Sequence, residues 1–257
     1  MALVEVETDG KIRVFTINRP EQRNAISPEV SKELDAAIAE FEADDEVWVG
    51  IVTGAGDKAF SAGADLKAVA SGRMQEIWTS EGGFAGITKR RRTKPLIAAV
   101  NGDALAGGCE IALACDLIVA AEHARFGLPE VRRSLVAAAG GLFRLPRRIP
   151  LNVAMEMILT GLPISARRAY ELGLVNRVVP SEHLMAAAYE LANAILECAP
   201  IAVRESRKVV LEALTAEEED HGWELSARAT ATVVTTEDFL EGPRAFIEKR
   251  EPVWKGR

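Results

Sequence analysis

The chain has 257 residues, 48% of them hydrophobic and 27% charged, which excludes collagen-like, low-complexity and largely disordered classes and leaves room for a sizeable core. Lys and Arg number 31 against 38 Asp and Glu, a formal charge of −7 that argues against a generic nucleic-acid binder without excluding a local basic patch. Neither the three cysteines (Cys109, Cys115, Cys198) nor the three histidines (His123, His183, His221) show zinc spacing, so no metal site is expected. Reduced, mostly buried thiols in a cytoplasmic protein are the expectation. Glu5 stands where a signal peptide would continue its apolar core. Glu110 and Asp116 interrupt the most apolar stretch, 104–121, so no membrane span is expected.

In chain order, Val4 to Thr8 and Ile12 to Asn18 read as strands around the turn signal Asp9-Gly10. Ser27 offers a helix N-cap, Pro28 a first helical position, and Val30, Leu34, Ile38 and Phe41 an apolar stripe at helical spacing. Val47 to Thr53 is a β-branched strand closed by Gly54-Ala55-Gly56, and a helical stretch is expected to end near the Lys94-Pro95 step. Leu96 to Val100 returns as a buried strand, and Leu117 to Ala121 repeats the pattern after a short apolar helix. Alternating strands and helices predict an α/β core with largely parallel pairing. From Ser181 onward a helical pattern dominates, with Leu184, Ala188, Leu191 and Ile195 on one face and Val203, Val210 and Leu214 on another. Such a tail serves either as an oligomerisation element or as a cover for its own core.

Four features could carry chemistry. Gly54-Ala55-Gly56-Asp57-Lys58-Ala59 loosely fits a dinucleotide fingerprint, but Phe60-Ser61-Ala62-Gly63 does not continue as the required helix, which favours a tight turn. Two small-residue segments, 61–66 and 104–110, each leave a strand for a short helix. Small residues there permit either tight helix–strand packing or close approach of a ligand to free N–H groups. Two such groups aimed at one point would form an oxyanion hole. Glu110 in its apolar run and Glu130 after Leu128-Pro129 could each simply suit a helix dipole. Meeting in a dry pocket, they would have separated pKa values and could exchange protons with a substrate. The basic run Lys89-Arg90-Arg91-Arg92-Thr93-Lys94 reads first as a solvated helix face, then as a phosphate contact.

Taken together, the segments resemble the crotonase (enoyl-CoA hydratase/isomerase) superfamily over nearly the whole chain from Asn18. The matching residues are Asn18-Arg19-Pro20 with Arg23-Asn24-Ala25, Ile51 to Gly56, Phe60 to Leu66, Lys94 to Gly102, and Ala106-Gly107-Gly108-Cys109-Glu110. Cys115-Asp116, Phe126 to Glu130, Gly140-Gly141 and Leu159-Thr160-Gly161 complete the set. The resemblance implies an α/β, ClpP-like fold of repeated ββα units over residues 1–195, followed by a helical trimerisation region over 196–257. A homotrimer, or a hexamer built as a dimer of trimers, is the implied assembly.

It also implies an acyl-CoA thioester substrate with no cofactor, coenzyme A being part of the substrate, and a hydratase activity on the C2=C3 bond. By position, the N–H groups of Ala64 and Gly107 would hold the thioester oxygen, and Ala62, Asp65, Leu66 and Lys67 would contact the CoA moiety. Glu110 would act as base on water and Glu130 would deliver a proton to C2. Phe246 and Lys249 match positions that reach the CoA bound by a neighbouring subunit. Where typical hydratases carry Pro-Gly this chain has Ala137-Ala138, which leaves the acyl group open. The C-terminus, 241–257, is similar to that of carnitinyl-CoA dehydratases. Dehydration of a polar acyl-CoA, isomerisation, and a catalytically silent CoA-binding or RNA-binding role are the alternatives.

Overall fold

The computed structural model describes residues 2–214 and 219–257. The chain opens with an antiparallel hairpin of β1 (Val4–Asp9) and β2 (Ile12–Ile17), turned at Gly10, whose φ of +55° suits glycine. Helix α1 (Pro28–Ala43) starts as its sequence predicts. The Ser27 hydroxyl accepts the Val30 amide at 3.3 Å, and the stripe of Val30, Leu34, Ile38 and Phe41 is fully buried.

A two-strand unit then recurs. It comprises β3 (Val49–Gly54), β4 (Ala59–Ser61) and α2 (Leu66–Ala70); after the small hairpin β5 (Trp78–Thr79) and β6 (Gly83–Phe84) come β7 (Leu96–Val100), β8 (Asp103–Leu105) and α3 (Gly107–Ala114). The third copy is β9 (Leu117–Ala121) and β10 (Arg125–Gly127), followed by a 3₁₀ turn at Pro129–Arg133. Helices α4 (Gly141–Arg144) and α5 (Leu151–Thr160), strand β11 (Ile164–Ser165), α6 (Ala166–Glu171) and β12 (Arg177–Val179) close the core. Helices α7 (Leu184–Leu196), α8 (Pro200–Ala213), α9 (Glu219–Val233) and α10 (Glu237–Glu248) end the chain.

Each repeat sends its longer strand to one sheet and its short strand to another. The six-stranded sheet has the order β1-β2-β3-β7-β9-β12, parallel from β2 onward, and the second sheet the order β11-β10-β8-β4. Strands β3 and β7 are buried on both faces, which is why their sequences are nearly unbroken apolar runs. Alternation splits them: Val52, Ala98 and Ala120 face the layer holding α1 and α3, whereas Ile51, Ile97 and Val119 meet Leu184, Ala188 and Ala192 of α7.

Two linked sequence expectations fail. No helix leads to the Lys94-Pro95 step; residues 85–95 are turns and irregular backbone. Gly83 and Gly86 sit at φ of +69° and +71°, and a Cβ on Gly86 would fall 2.6 Å from the Asp35 backbone, so close packing on α1 overrides any helical tendency. The basic run is therefore not a solvated helix face. Arg90 pairs with Asp35, Arg92 with Asp116, and Lys94, only 1% exposed, donates to the carbonyls of Phe41 and Asp44.

The C-terminal tail folds back on the α7 side. Trp254 donates to the Glu197 carbonyl at 2.8 Å, while the Asp238 carboxylate accepts the amides of Lys255 and Gly256 at 2.7 and 2.8 Å. Among the described residues no single helix is long and apolar enough to cross a membrane.

Candidate active site

The site begins where β8 passes into α3. Ala106 holds φ +52° and ψ −128°, a backbone state costing on the order of 1–3 kcal/mol for a residue with a Cβ. The turn brings Gly107 against the other small-residue segment: a Cβ on Gly63 (φ +84°) would lie 2.8 Å from the Gly107 nitrogen. Only glycine allows this approach. Neither the Ala64 nor the Gly107 N–H has a backbone or side-chain acceptor among the described residues. The two proposed oxyanion segments thus lie side by side, and the Phe84 ring covers Gly107, where a Cβ would fall 2.5 Å from it.

Glu110 stands in the first turn of α3 and is 3% exposed. Its Oε1 accepts the amides of Ala139 at 2.7 Å and Gly141 at 2.9 Å. Burial pushes its pKa up to about 7; the Gly141 amide opposes this, the nearby Glu130 charge adds to it, and the Ala139 amide and Arg144 oppose it. Glu130, on the 3₁₀ turn after β10, is half-buried, and burial raises its pKa as well. Its Oε2 is buried without a hydrogen-bond partner among the described residues. Both carboxyls are thereby shifted toward neutral pH, where proton transfer works in either direction.

The remaining expected residues divide. Ala62, Asp65, Leu66 and Lys67 flank Ala64 on the way into α2. The Ala62 amide donates to the Arg23 carbonyl at 3.0 Å. The Asp65 side chain caps α2 through the Lys67 amide and pairs with Arg19, both at 2.9 Å, so its carboxylate is engaged within the fold. Leu66 is 59% exposed. Phe246 and Lys249 are not brought to the glutamates: they end α10, whose tail docks on the α7 side of the sheet, across from α3.

Sequence reasoning missed the turn that grips Glu110. The signal was present in Gly140-Gly141, since Gly140 takes φ +109° and a Cβ on Gly141 would lie 3.1 Å from Glu110 Oε1. A cavity of about 850 Å³, lined by the 87–93 segment, Arg144, Arg147, Arg148 and α8, lies apart from both glutamates, and the chemistry is better located by the buried carboxylates than by that volume.

Open amide donors beside carboxyls raised toward neutrality define a class of site suited to moving protons at a carbonyl compound. Comparison with known proteins gives that class a family. The enoyl-CoA hydratase/isomerase family matches residues 7–257. A carnitinyl-CoA dehydratase from Salmonella heidelberg is 43% identical over 254 residues, 97% of each chain. The crystal structure of enoyl-CoA hydratase EchA1 from Mycobacterium marinum superposes with a TM-score of 0.95 at 44% identity, covering 100% of both chains. That of carnitinyl-CoA hydratase from Mycobacterium avium is 46% identical with a TM-score of 0.79, again over 100% of both. The chain belongs to the enoyl-CoA hydratase/isomerase family and has the crotonase fold.

Proposed function

We propose that this chain is a hydro-lyase that reversibly adds water across the C2=C3 bond of a 2-enoyl-CoA thioester. Glu110 in its amide grip beside Glu130 is the observation that carries this reading. In the hydration direction the Glu110 carboxylate takes a proton from water as the oxygen bonds to C3. The C=C electrons move to C2 and the thioester oxygen, where the N–H groups of Ala64 and Gly107 meet the developing charge. The Glu130 carboxylic acid then protonates C2. Elimination runs these steps backward. The scheme draws on two carboxyls and two amides and calls for no metal or redox cofactor.

Ala62, Asp65, Leu66 and Lys67 are assigned to CoA contact through the backbone, since the Asp65 carboxylate is already engaged. Residues 196–257 are assigned to assembly into a trimer or a dimer of trimers. Leu240, Phe246 and Ile247 are 72%, 85% and 78% exposed in the single chain, a cost that a partner surface removes, and Phe246 and Lys249 would then serve a neighbour's site. Free, buried Cys109 and Cys115 support a reducing, cytoplasmic location.

The test is turnover of crotonyl-CoA by wild type, Glu110→Gln and Glu130→Gln. Loss of about 10²–10⁴-fold in each variant supports the assignment, and wild-type rates in both would remove it. Relatives named carnitinyl-CoA dehydratase and carnitinyl-CoA hydratase favour a polar acyl group as the second reading. Comparing kcat/KM on crotonyl-CoA and crotonobetainyl-CoA decides between them.

A further inference from the structure

Arg144 is a half-buried cation to which the proposed chemistry gives no role. Its side chain folds back over Gly140: a Cβ there would lie 2.2 Å from Nη1. Nη1 donates to the Ala139 carbonyl at 3.2 Å and Nη2 to the Thr88 carbonyl at 2.6 Å. Among the described residues no carboxylate lies within ion-pair distance of it, although its neighbours Arg90, Arg92 and Arg207 all have one. Ala139 is thus held from both ends, its carbonyl by Arg144 and its amide by Glu110 Oε1.

We infer that Arg144 is a positioning residue for the Glu110 base: it clamps the 139–141 turn to the Thr88 segment, fixes the two amides that orient the carboxylate, and supplies the nearby positive charge that keeps it ionisable. The inference rests on the role proposed for Glu110. A guanidinium suits the task because its planar fork spans two carbonyls in fixed directions, which an ammonium cannot reproduce.

The charged environment sets the sign of the effect. Glu110 is faced by Glu130 from the 3₁₀ turn, Cys109 from its own helix and Arg144 from α4. Arg144 is in turn faced by Arg148, Arg92 and Cys115, and burial together with the two arginines lowers its pKa. Removing the Arg144 charge therefore takes away a cation that holds the Glu110 pKa down while Glu130 remains, and that pKa rises further. A base that must be ionised then requires higher pH.

The experiment is the pH profile of kcat and kcat/KM for hydration of crotonyl-CoA by wild type, Arg144→Gln, Arg144→Lys and Glu110→Gln, each checked for folding by circular dichroism. Arg144→Gln is expected to move the acid limb up by about one pH unit and to lower kcat at least tenfold with KM little changed. Arg144→Lys restores the position of the limb but not the full kcat, because it returns the charge without the fork. If Glu110→Gln is inactive while Arg144→Gln keeps the wild-type limb and kcat, the positioning role is wrong and the Glu110 assignment stands. If Glu110→Gln is itself fully active, the failure lies in the proposed base. An Arg144→Gln protein that is merely unstable, with an unshifted limb per folded molecule, also overturns the inference.

Discussion

The two ends of α3 carry the two acids that interrupt the most apolar stretch of the chain, and the fold treats them in opposite ways. Asp116, just beyond the C-terminal end, accepts Arg92 at 3.2 Å, Arg207 at 2.9 Å and the Leu96 amide at 2.8 Å. Burial works against its ionised form, but the two guanidiniums outweigh it and hold its pKa below the usual carboxylate value. Glu110, at the other end, is at least as buried and receives only two amides, so burial wins and its pKa climbs to about 7. Burial alone therefore does not make a proton-transfer group; burial without a directly paired counter-ion does.

The largest expected effect that sharpens this contrast is on turnover. Glu110→Gln should reduce kcat by about 10³-fold, or roughly 4 kcal/mol of barrier, while leaving the melting temperature unchanged or raised, because it removes a buried charge that no direct ion pair compensates. Crotonyl-CoA kinetics with a thermal melt of the same sample checks both halves. Asp116→Asn should do the reverse. Buried Arg92 and half-buried Arg207 lose their counter-charge, stability falls by on the order of 3 kcal/mol in a denaturant titration, and turnover per folded molecule is preserved.

Acidity gives the third test, with opposite signs at the two ends. Glu110 has a folded pKa of about 7 against an ordinary 4.5, so the unfolded chain releases this proton first. Its contribution to stability is present below about 4.5 and disappears as pH rises to about 7, a change of about 3 kcal/mol. Asp116, with a depressed folded pKa, contributes stability above the ordinary aspartate value and loses it as pH falls through its folded one. The stability gap between Glu110→Gln and wild type should widen from pH 5 to 7, and that between wild type and Asp116→Asn should shrink on acidification below 4. A pH-independent gap in both series would break the comparison.

The smallest effect is expected at the amide grip. A Cβ at position 141 would crowd Glu110 Oε1 at 3.1 Å and Leu128 at 2.9 Å. Gly141→Ala should cost roughly tenfold in kcat by misplacing the base, with little change in KM.

Much of the scaffold was legible before any coordinates. Ser27, Pro28 and the Val30–Phe41 stripe specified α1 because cap, first turn and periodicity all agreed. The runs 96–100 and 117–121 matched β7 and β9 to the residue, since strands buried on both faces leave unbroken apolar sequence. The helix expected before Lys94 failed because its glycines serve contact with Asp35, information that lies some 50 residues away in the chain. The basic run departs from a solvated helix face for the same reason: Arg90, Arg92 and Lys94 are engaged by Asp35, Asp116 and the carbonyls of Phe41 and Asp44, partners that no local pattern reveals.

By itself the sequence determined the class of fold and the oddity of a carboxylate at Glu110, because apolar periodicity and the cost of buried charge are written locally; the family was carried separately, by the resemblance of motifs ordered along the chain from Asn18. Tertiary structure alone decided what that carboxylate is. The turn at 139–141, which supplies two amides and no charge, and the arginines that pair directly with Asp116, come from distant segments. The acidity of a group depends on everything packed around it, and only the folded chain brings those neighbours together.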